Sequence, residues 1–188
     1  MAEKIPDDIE AKKFFEEIVP QQFEAMDKIE GMDGTQLAVQ FNITGEGGGN
    51  WTLVVTDGKN MEVKPQEDEK AQITITMDVK DWRDTVTGKI QGLDIMQQTG
   101  RGSRAQFDKL KTVSGTLRLE LTKEDGNLLP MELMFNKAAT PQTTLKAKAT
   151  DYADIQSGKL NGQQAFMSGK IKISGDMGFA MKIGTMMM

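Results

Sequence analysis

The sequence predicts an α+β protein made of two related halves, each a sheet covered on one side by helices. Three observations predict it. Alternating apolar and polar runs, such as Ile73-Thr74-Ile75-Thr76-Met77, are interspersed with stretches of three- and four-residue apolar spacing, such as Phe14, Phe15, Ile18 and Val19. Turns rich in Gly, Asn and Asp separate them, among them Asp57-Gly58 and Glu124-Asp125-Gly126-Asn127. The order strand, turn, strand, link, strand, helix then occurs twice.

Residues 10–30 predict a helix, with Phe14, Phe15, Ile18, Val19, Phe23, Met26 and Ile29 on one face and a stop at Gly31. Pro20 lies inside that pattern, so a kink or two short helices are expected. Strands are expected at 37–41, 51–55, 61–63 and 73–77. The Gly45-Glu46-Gly47-Gly48-Gly49-Asn50 stretch is read as a hairpin loop. A phosphate-binding loop would need Lys and Ser or Thr after its last Gly and a helix behind it, whereas Trp51 and a strand come next.

Asp78 is a good N-cap for a helix through Val79, Trp82 and Val86 that Gly88 ends. A second short helix carries Leu93, Ile95 and Met96 as far as Gly100. Residues 101–111 hold Arg101, Arg104, Lys109 and Lys111 and form the one basic stretch. It reads as a solvated helix face, or as a contact for a head group or acidic partner. Strands return at 117–121, 131–135 and 145–149, and Thr150 is expected to cap a helix through Tyr152 and Ile155 that ends at Gly158. The chain closes with a short helical run, Gly169, a strand with Ile171 and Ile173 on one face and Lys170 and Lys172 on the other, and Gly175. Asp176 can cap the final segment. Met177, Ala180, Met181 and Gly184 fit a helix, although Phe179, Met181 and Ile183 also fit a strand.

The halves share particular residues. Asp27-Lys28-Ile29 and Gly34-Thr35 reappear as Asp108-Lys109-Leu110 and Gly115-Thr116, 81 residues on. Asp81-Trp82, Gly88-Lys89-Ile90-Gln91-Gly92 and Met96 reappear 70 residues on as Asp151-Tyr152, Gly158-Lys159-Leu160-Asn161-Gly162 and Phe166. The second half shows no counterpart of the 61–63 strand, and the first lacks the ending 170–183.

Composition removes many chemistries. With no Cys and no His, thiolate catalysis, disulfides, Ser-His triads and most zinc or iron sites are excluded. No cofactor is expected, and a metal would have to be a hard cation on carboxylates. A net charge of −5 with scattered basic residues argues against nucleic acid. No run of 18 apolar residues is present and the start 1–8 has no apolar core, so a cytoplasmic, soluble protein is expected. Met is the outlier at 14 residues, a side chain suited to irregular apolar pockets and equally to filling a core.

Gly158-Lys159-Leu160-Asn161, then Gln164-Ala165-Phe166, then the stretch from Gly169 to Lys182 resemble the C-terminal signature of the sterol carrier protein type 2 (sterol-binding) domain. The upstream order, through 73–77, Asp81-Trp82 and Gly88-Lys89, is similar more loosely. The chain is longer than one such domain, which implies two fused repeats, 10–101 and 102–188, or one merged domain 10–188. The resemblance implies a mixed, mostly antiparallel sheet with helices packed on one face, enclosing an apolar tunnel. It also implies non-catalytic binding or transfer of a sterol, fatty acid, acyl-CoA or phospholipid. The alternative is a structural or dimerisation module associated with a lipid-metabolising enzyme.

The side chains expected to line such an interior are Phe166, Met167, Ile171, Ile173, Met177, Phe179 and Met181, with Trp82 and Met96 from the first half. Lys159, Lys170 and Lys182 are candidates to meet a carboxylate or phosphate at the mouth. The expected partners are a long-chain lipid, transiently a membrane, and a second copy of the chain. The only acid/base candidates are carboxylate pairs such as Asp81 with Asp84 or Asp151 with Asp154. They sit at helix starts, where acids are favoured by capping and by the helix dipole.

Overall fold

The computed structural model describes residues 5–90 and 103–187. Along the chain run α1 (Ala11–Lys13), a π-helical turn (Phe14–Ile18), α2 (Val19–Glu24), β1 (Gln36–Thr44), β2 (Gly49–Thr56), β3 (Asn60–Lys64), β4 (Ile73–Asp78) and α3 (Val79–Val86). Then come α4 (Arg104–Leu110), β5 (Gly115–Thr122), β6 (Leu128–Phe135), β7 (Gln142–Lys148), α5 (Ala149–Gln156), α6 (Gly162–Met167), β8 (Ile171–Gly175) and α7 (Met177–Met187). The expected second short helix, with Leu93, Ile95 and Met96, lies outside the described residues.

All eight strands form one sheet, in the order β3-β2-β1-β4-β6-β5-β7-β8. β1 runs parallel to β4 and β5 parallel to β7, and every other neighbour is antiparallel. The two halves have the same wiring: β1 lies between β2 and β4 as β5 lies between β6 and β7. The junction is the antiparallel pair β4–β6. In the second half the outer neighbour of β7 is β8, and in the first half the outer neighbour of β2 is β3. Among the described residues the first half has no counterpart of β8 and the second none of β3. Each junction strand therefore occupies the edge that the other half leaves open, and no strand edge is stranded inside the molecule. Pro130 sits in β6 beyond the part that pairs with β4, where its missing N–H costs the ladder nothing.

The alternating pattern explains the core. Val39, Phe41 and Ile43 of β1, Ile75 and Met77 of β4, and Leu117, Leu119 and Leu121 of β5 face the helices and are buried. The opposite face is solvated in the second half, where Arg118 meets Glu132 and Lys146 meets Glu120. In the first half the 65–72 connection crosses that face. There the Asp68 N–H and the Lys137 ammonium donate to the Gln40 amide oxygen, satisfying a fully buried polar group.

Three expectations need correcting. The first helix ends at Glu24 rather than near Gly31, because the Ile29 N–H donates to the Gly58 carbonyl and draws the chain onto the β2–β3 turn. Thr150 lies inside α5; the helix starts at Ala149, and Lys148 occupies the cap position. The spacing of 81 does not hold through the sheet. Ile73 and Thr143 lie 70 apart, and their parallel partners Val39 and Leu117 lie 78 apart. An offset of 81 would put every side chain on the wrong face. Asp27 to Ile29 lie past a helix end, whereas Asp108 to Leu110 form the last turn of α4. The spacing of 70 holds as far as Ile90; Gln91, Gly92 and Met96 lie outside the described residues. Gly88 and Gly158 both have positive φ, and both accompany the same three terminal hydrogen bonds, ending in Ile90 N–H to Asp84 and Leu160 N–H to Asp154.

Candidate site at the end of the second repeat

The segment from α6 to α7 is held by capping and by two inward-facing side chains. Asn161 caps α6 by accepting from the N–H groups of Gln163 and Gln164, and Gly169 with positive φ ends it. β8 then adds to β7, with Ile171 beside Ala147 and Ile173 beside Leu145. Ile171 is buried and Ile173 half-buried, while Lys172 faces water. The Asp176 carboxylate caps α7 by accepting from the Phe179 N–H at 2.7 Å, and the Thr143 hydroxyl donates to the Asp176 carbonyl at 2.6 Å.

α7 turns Phe179 and Ile183 into the core. The Phe179 ring meets Phe135 edge to face at 6.3 Å and lies over Gly115, where a Cβ would come within 2.7 Å of it. The opposite side of the helix is apolar too. Met177 and Met181 are 46% and 66% exposed, and on α6 Phe166 and Met167 are 46% and 78% exposed. A helix apolar on both sides is ordinarily buried on both sides. At its far end the Lys109 ammonium reaches from α4 to donate to the Thr185 carbonyl at 3.1 Å. Between α4 and α7 lies a cavity of about 230 Å³ lined by Lys109, Thr112, Val113, Lys182, Thr185 and Met186.

The expected lining residues therefore separate into groups. Ile171, Phe179 and, in part, Ile173 are interior, while Phe166 and Met167 of α6 and Met177 and Met181 of α7 are exposed. Trp82 lies elsewhere, buried in the first half against Phe14 at 5.3 Å and Phe15 at 5.9 Å, with Phe15 stacked on Trp51. Met96 lies outside the described residues. Tyr152, the counterpart of Trp82 at the spacing of 70, is buried in the core. Burial pushes its phenol up to about 12, partly offset by a hydrogen bond with Gln156. Neither Tyr152 nor Lys109 stands out as a site residue in the sequence, though the repeat marks the first and the basic stretch contains the second.

Three of the four candidate carboxylates are engaged. Asp81 accepts from Lys123 at 2.9 Å, Asp151 from Lys170 at 2.7 Å, and Asp84 lies 3.7 Å from Lys89. The hydrogen bond from Lys123 to Asp81, and that from Lys170 to Asp151, hold both ammonium groups above the ordinary lysine value. Among the described residues no group of three or more acidic side chains is placed to hold a metal ion, and no helix is long and apolar enough to cross a membrane.

The profile of the SCP-2 sterol transfer family matches this chain twice, over residues 15–100 and 96–188. The chain belongs to the SCP-2 sterol transfer family. It is 51% identical over 47 residues to peroxisomal multifunctional enzyme A of Dictyostelium discoideum, covering 25% of this chain and 11% of that protein. It is 38% identical over 58 residues to human sterol carrier protein 2, covering 31% of this chain and 10% of that protein. The chain thus spans about a tenth of the length of these curated relatives.

Among solved structures, it is similar to sterol carrier protein domain 2 of Helicoverpa armigera, at 30% identity and a TM-score of 0.37, over 43% of this chain and 72% of that one. It is also similar to sterol carrier protein 2 from Yarrowia lipolytica, at 18% identity and a TM-score of 0.38, over 59% of this chain and 94% of that one. Membership of the sterol transfer family, found twice over, accords with the duplicated strand wiring.

Proposed function

We propose that this member of the sterol transfer family is a non-catalytic carrier of a long-chain lipid, held at the second repeat. The observation that carries the reading is the outer face of α6 and α7. Phe166, Met167, Met177 and Met181 lie exposed within one stretch of 16 residues, the last two on the helix that sends Phe179 and Ile183 into the core. Apolar transfer supplies about 0.8 kcal/mol per buried methylene, so an acyl chain or sterol needs few polar contacts there. Ile171, Ile173 and Phe179 would form the inner wall and the four exposed side chains the mouth, where the protein would meet a membrane. A sterol, fatty acid, acyl-CoA or phospholipid all suit such a lining. A cytoplasmic location is part of the proposal, and imaging of the tagged chain decides between it and a peroxisomal one.

The test is native mass spectrometry of the purified chain together with displacement of a fluorescent fatty acid. Met181→Glu should weaken displacement about tenfold or more, since a charge at that face costs roughly 1.5 kcal/mol or more. Met26→Glu, at an exposed Met of the first repeat, should leave it unchanged. No bound lipid and no displacement at micromolar protein would rule the reading out.

A second reading, a module that docks on a lipid-metabolising enzyme or on another copy of the chain, is supported by the same exposed face and by the multifunctional-enzyme relative. In that case Met181→Glu would change the mass of the complex in solution rather than lipid uptake.

A further inference from the structure

The cleft between α4 and α7 has a composition that the outer apolar face lacks. Its polar rim is Lys109, Lys182, Thr112 and Thr185, and its floor is Val113 and Met186. Val113 is a buried member of the core and Met186 packs against that core, so the floor adjoins the interior of the second repeat. Both hydroxyl protons are already used: Thr112 donates to the Lys109 carbonyl at 2.7 Å and Thr185 to the Lys182 carbonyl at 2.9 Å. The donors left for a ligand are therefore the two ammonium groups.

Among the described residues, neither Lys109 nor Lys182 has a carboxylate partner. The nearby Asp108 is already shared by Arg104 at 3.0 Å and Lys111 at 3.5 Å. In a chain of net charge −5, this corner presents to one cavity two positive charges that no described carboxylate pairs with. Lys109 has only the Thr185 carbonyl, a neutral acceptor that an anion would replace with a stronger one. At about 230 Å³ the cavity admits a carboxylate or phosphate with a few waters, each of roughly 30 Å³, and is small for a nucleotide.

We propose that Lys109 and Lys182 form a binding site for a compact anionic group, a carboxylate or a phosphate, whose apolar remainder lies against Val113 and Met186. This deepens the lipid-carrier reading and rests on it for the source of the anion. The anion would come from the end of a bound lipid or from free phosphate.

The experiment uses the full chain. Displacement is measured with a long-chain fatty acid and with the alcohol of the same length, on the wild type, on Lys109→Gln/Lys182→Gln and on Lys109→Arg/Lys182→Arg. Inorganic phosphate is titrated separately, with the backbone amides of Thr112, Val113 and Thr185 followed by NMR. The acid should bind about tenfold tighter than the alcohol, as one or two charge-assisted hydrogen bonds imply. The glutamine pair should erase that preference and the arginine pair keep it. Phosphate should move the three amides.

Movement of the amides with neither acid nor alcohol bound would retain the anion site, assign it to free phosphate and overturn the lipid reading. Acid and alcohol bound equally, with the amides unmoved by phosphate, would overturn the anion site and leave the lipid reading standing. A preference for the acid that survives the glutamine pair would place the anion elsewhere and also overturn it.

Discussion

The Asp81 carboxylate of the first repeat accepts a hydrogen bond from the Lys123 ammonium of the second at 2.9 Å, with both side chains only 12–14% exposed. Its counterpart Asp151 pairs with Lys170, which lies just before β8 of its own repeat. The first repeat has no such strand beside β4, and its aspartate is matched by the lysine of the β5–β6 turn instead. The ion pair obeys the same logic as the strands: what one repeat lacks, the other supplies. Lys123→Met should destabilise the chain by about 3 kcal/mol, since it leaves a largely buried carboxylate without its cation. A urea-melt double-mutant cycle with Asp81→Ala should show a coupling above roughly 1 kcal/mol. Lipid uptake by Asp81→Asn should stay at the wild-type level, as fits a structural carboxylate.

The β4–β6 junction implies that neither half folds alone. Separating residues 10–101 from 102–188 would expose the pairing edges of Ile73 to Thr76 and of Glu132 to Phe135. Each half produced alone should give collapsed proton NMR dispersion or aggregate. The two produced together should recover a folded complex. A sharp, dispersed spectrum from either half alone would contradict this.

Gly115 and Phe179 predict how α7 can be released. Gly115 has φ +139, and a Cβ there would meet the Pro141 carbonyl and the Phe179 ring at 2.6 and 2.7 Å. Gly115→Ala should therefore strain β5 and push the ring out, with faster hydrogen exchange in α7 than in β1 or β2. Phe179→Ala should cost about 3–5 kcal/mol as a cavity in the core, and lipid uptake should fall with it.

Alkaline stability should reflect Tyr152 and Lys123. The folded protein holds the Tyr152 proton up to about 12, against an ordinary 10.0, and holds the Lys123 proton above the ordinary 10.5. Between those values the folded state binds more protons than the unfolded one, so stability falls as pH rises. Both contributions are complete below about pH 10 and are lost above it. Urea melts should show their fall beginning near pH 10, and Tyr152→Phe should remove the tyrosine part, as read from the slope between pH 10 and 12.

Much of this fold was legible in the chain. Alternation in 73–77 and 117–121 marked buried strand faces because one side of each strand is apolar. The spacing of 70 marked equivalent helices because Gly88 and Gly158 each provide the positive φ that ends one. The spacing of 81 misled because Gly34-Thr35 precede β1 whereas Gly115-Thr116 open β5, and strand equivalence is set by the ladder, which Val39 and Leu117 share at 78. Of the candidate site, the apolar run 166–183 was legible as apolar. Its division into Phe179 and Ile183 inside and Met177 and Met181 outside was not, because helix and strand periods both fit so short a run.

The sequence by itself determined the family, the repeat, the absence of His and Cys chemistry and the identity of the strands, all of which rest on local pattern and residue type. Only the tertiary structure decided that the repeats share one sheet, that Asp81 pairs across them with Lys123, and that Lys109 and Lys182 face a common cleft. These are contacts between segments far apart in the chain. Their geometry depends on which strand edge each repeat leaves open, and no local pattern encodes that.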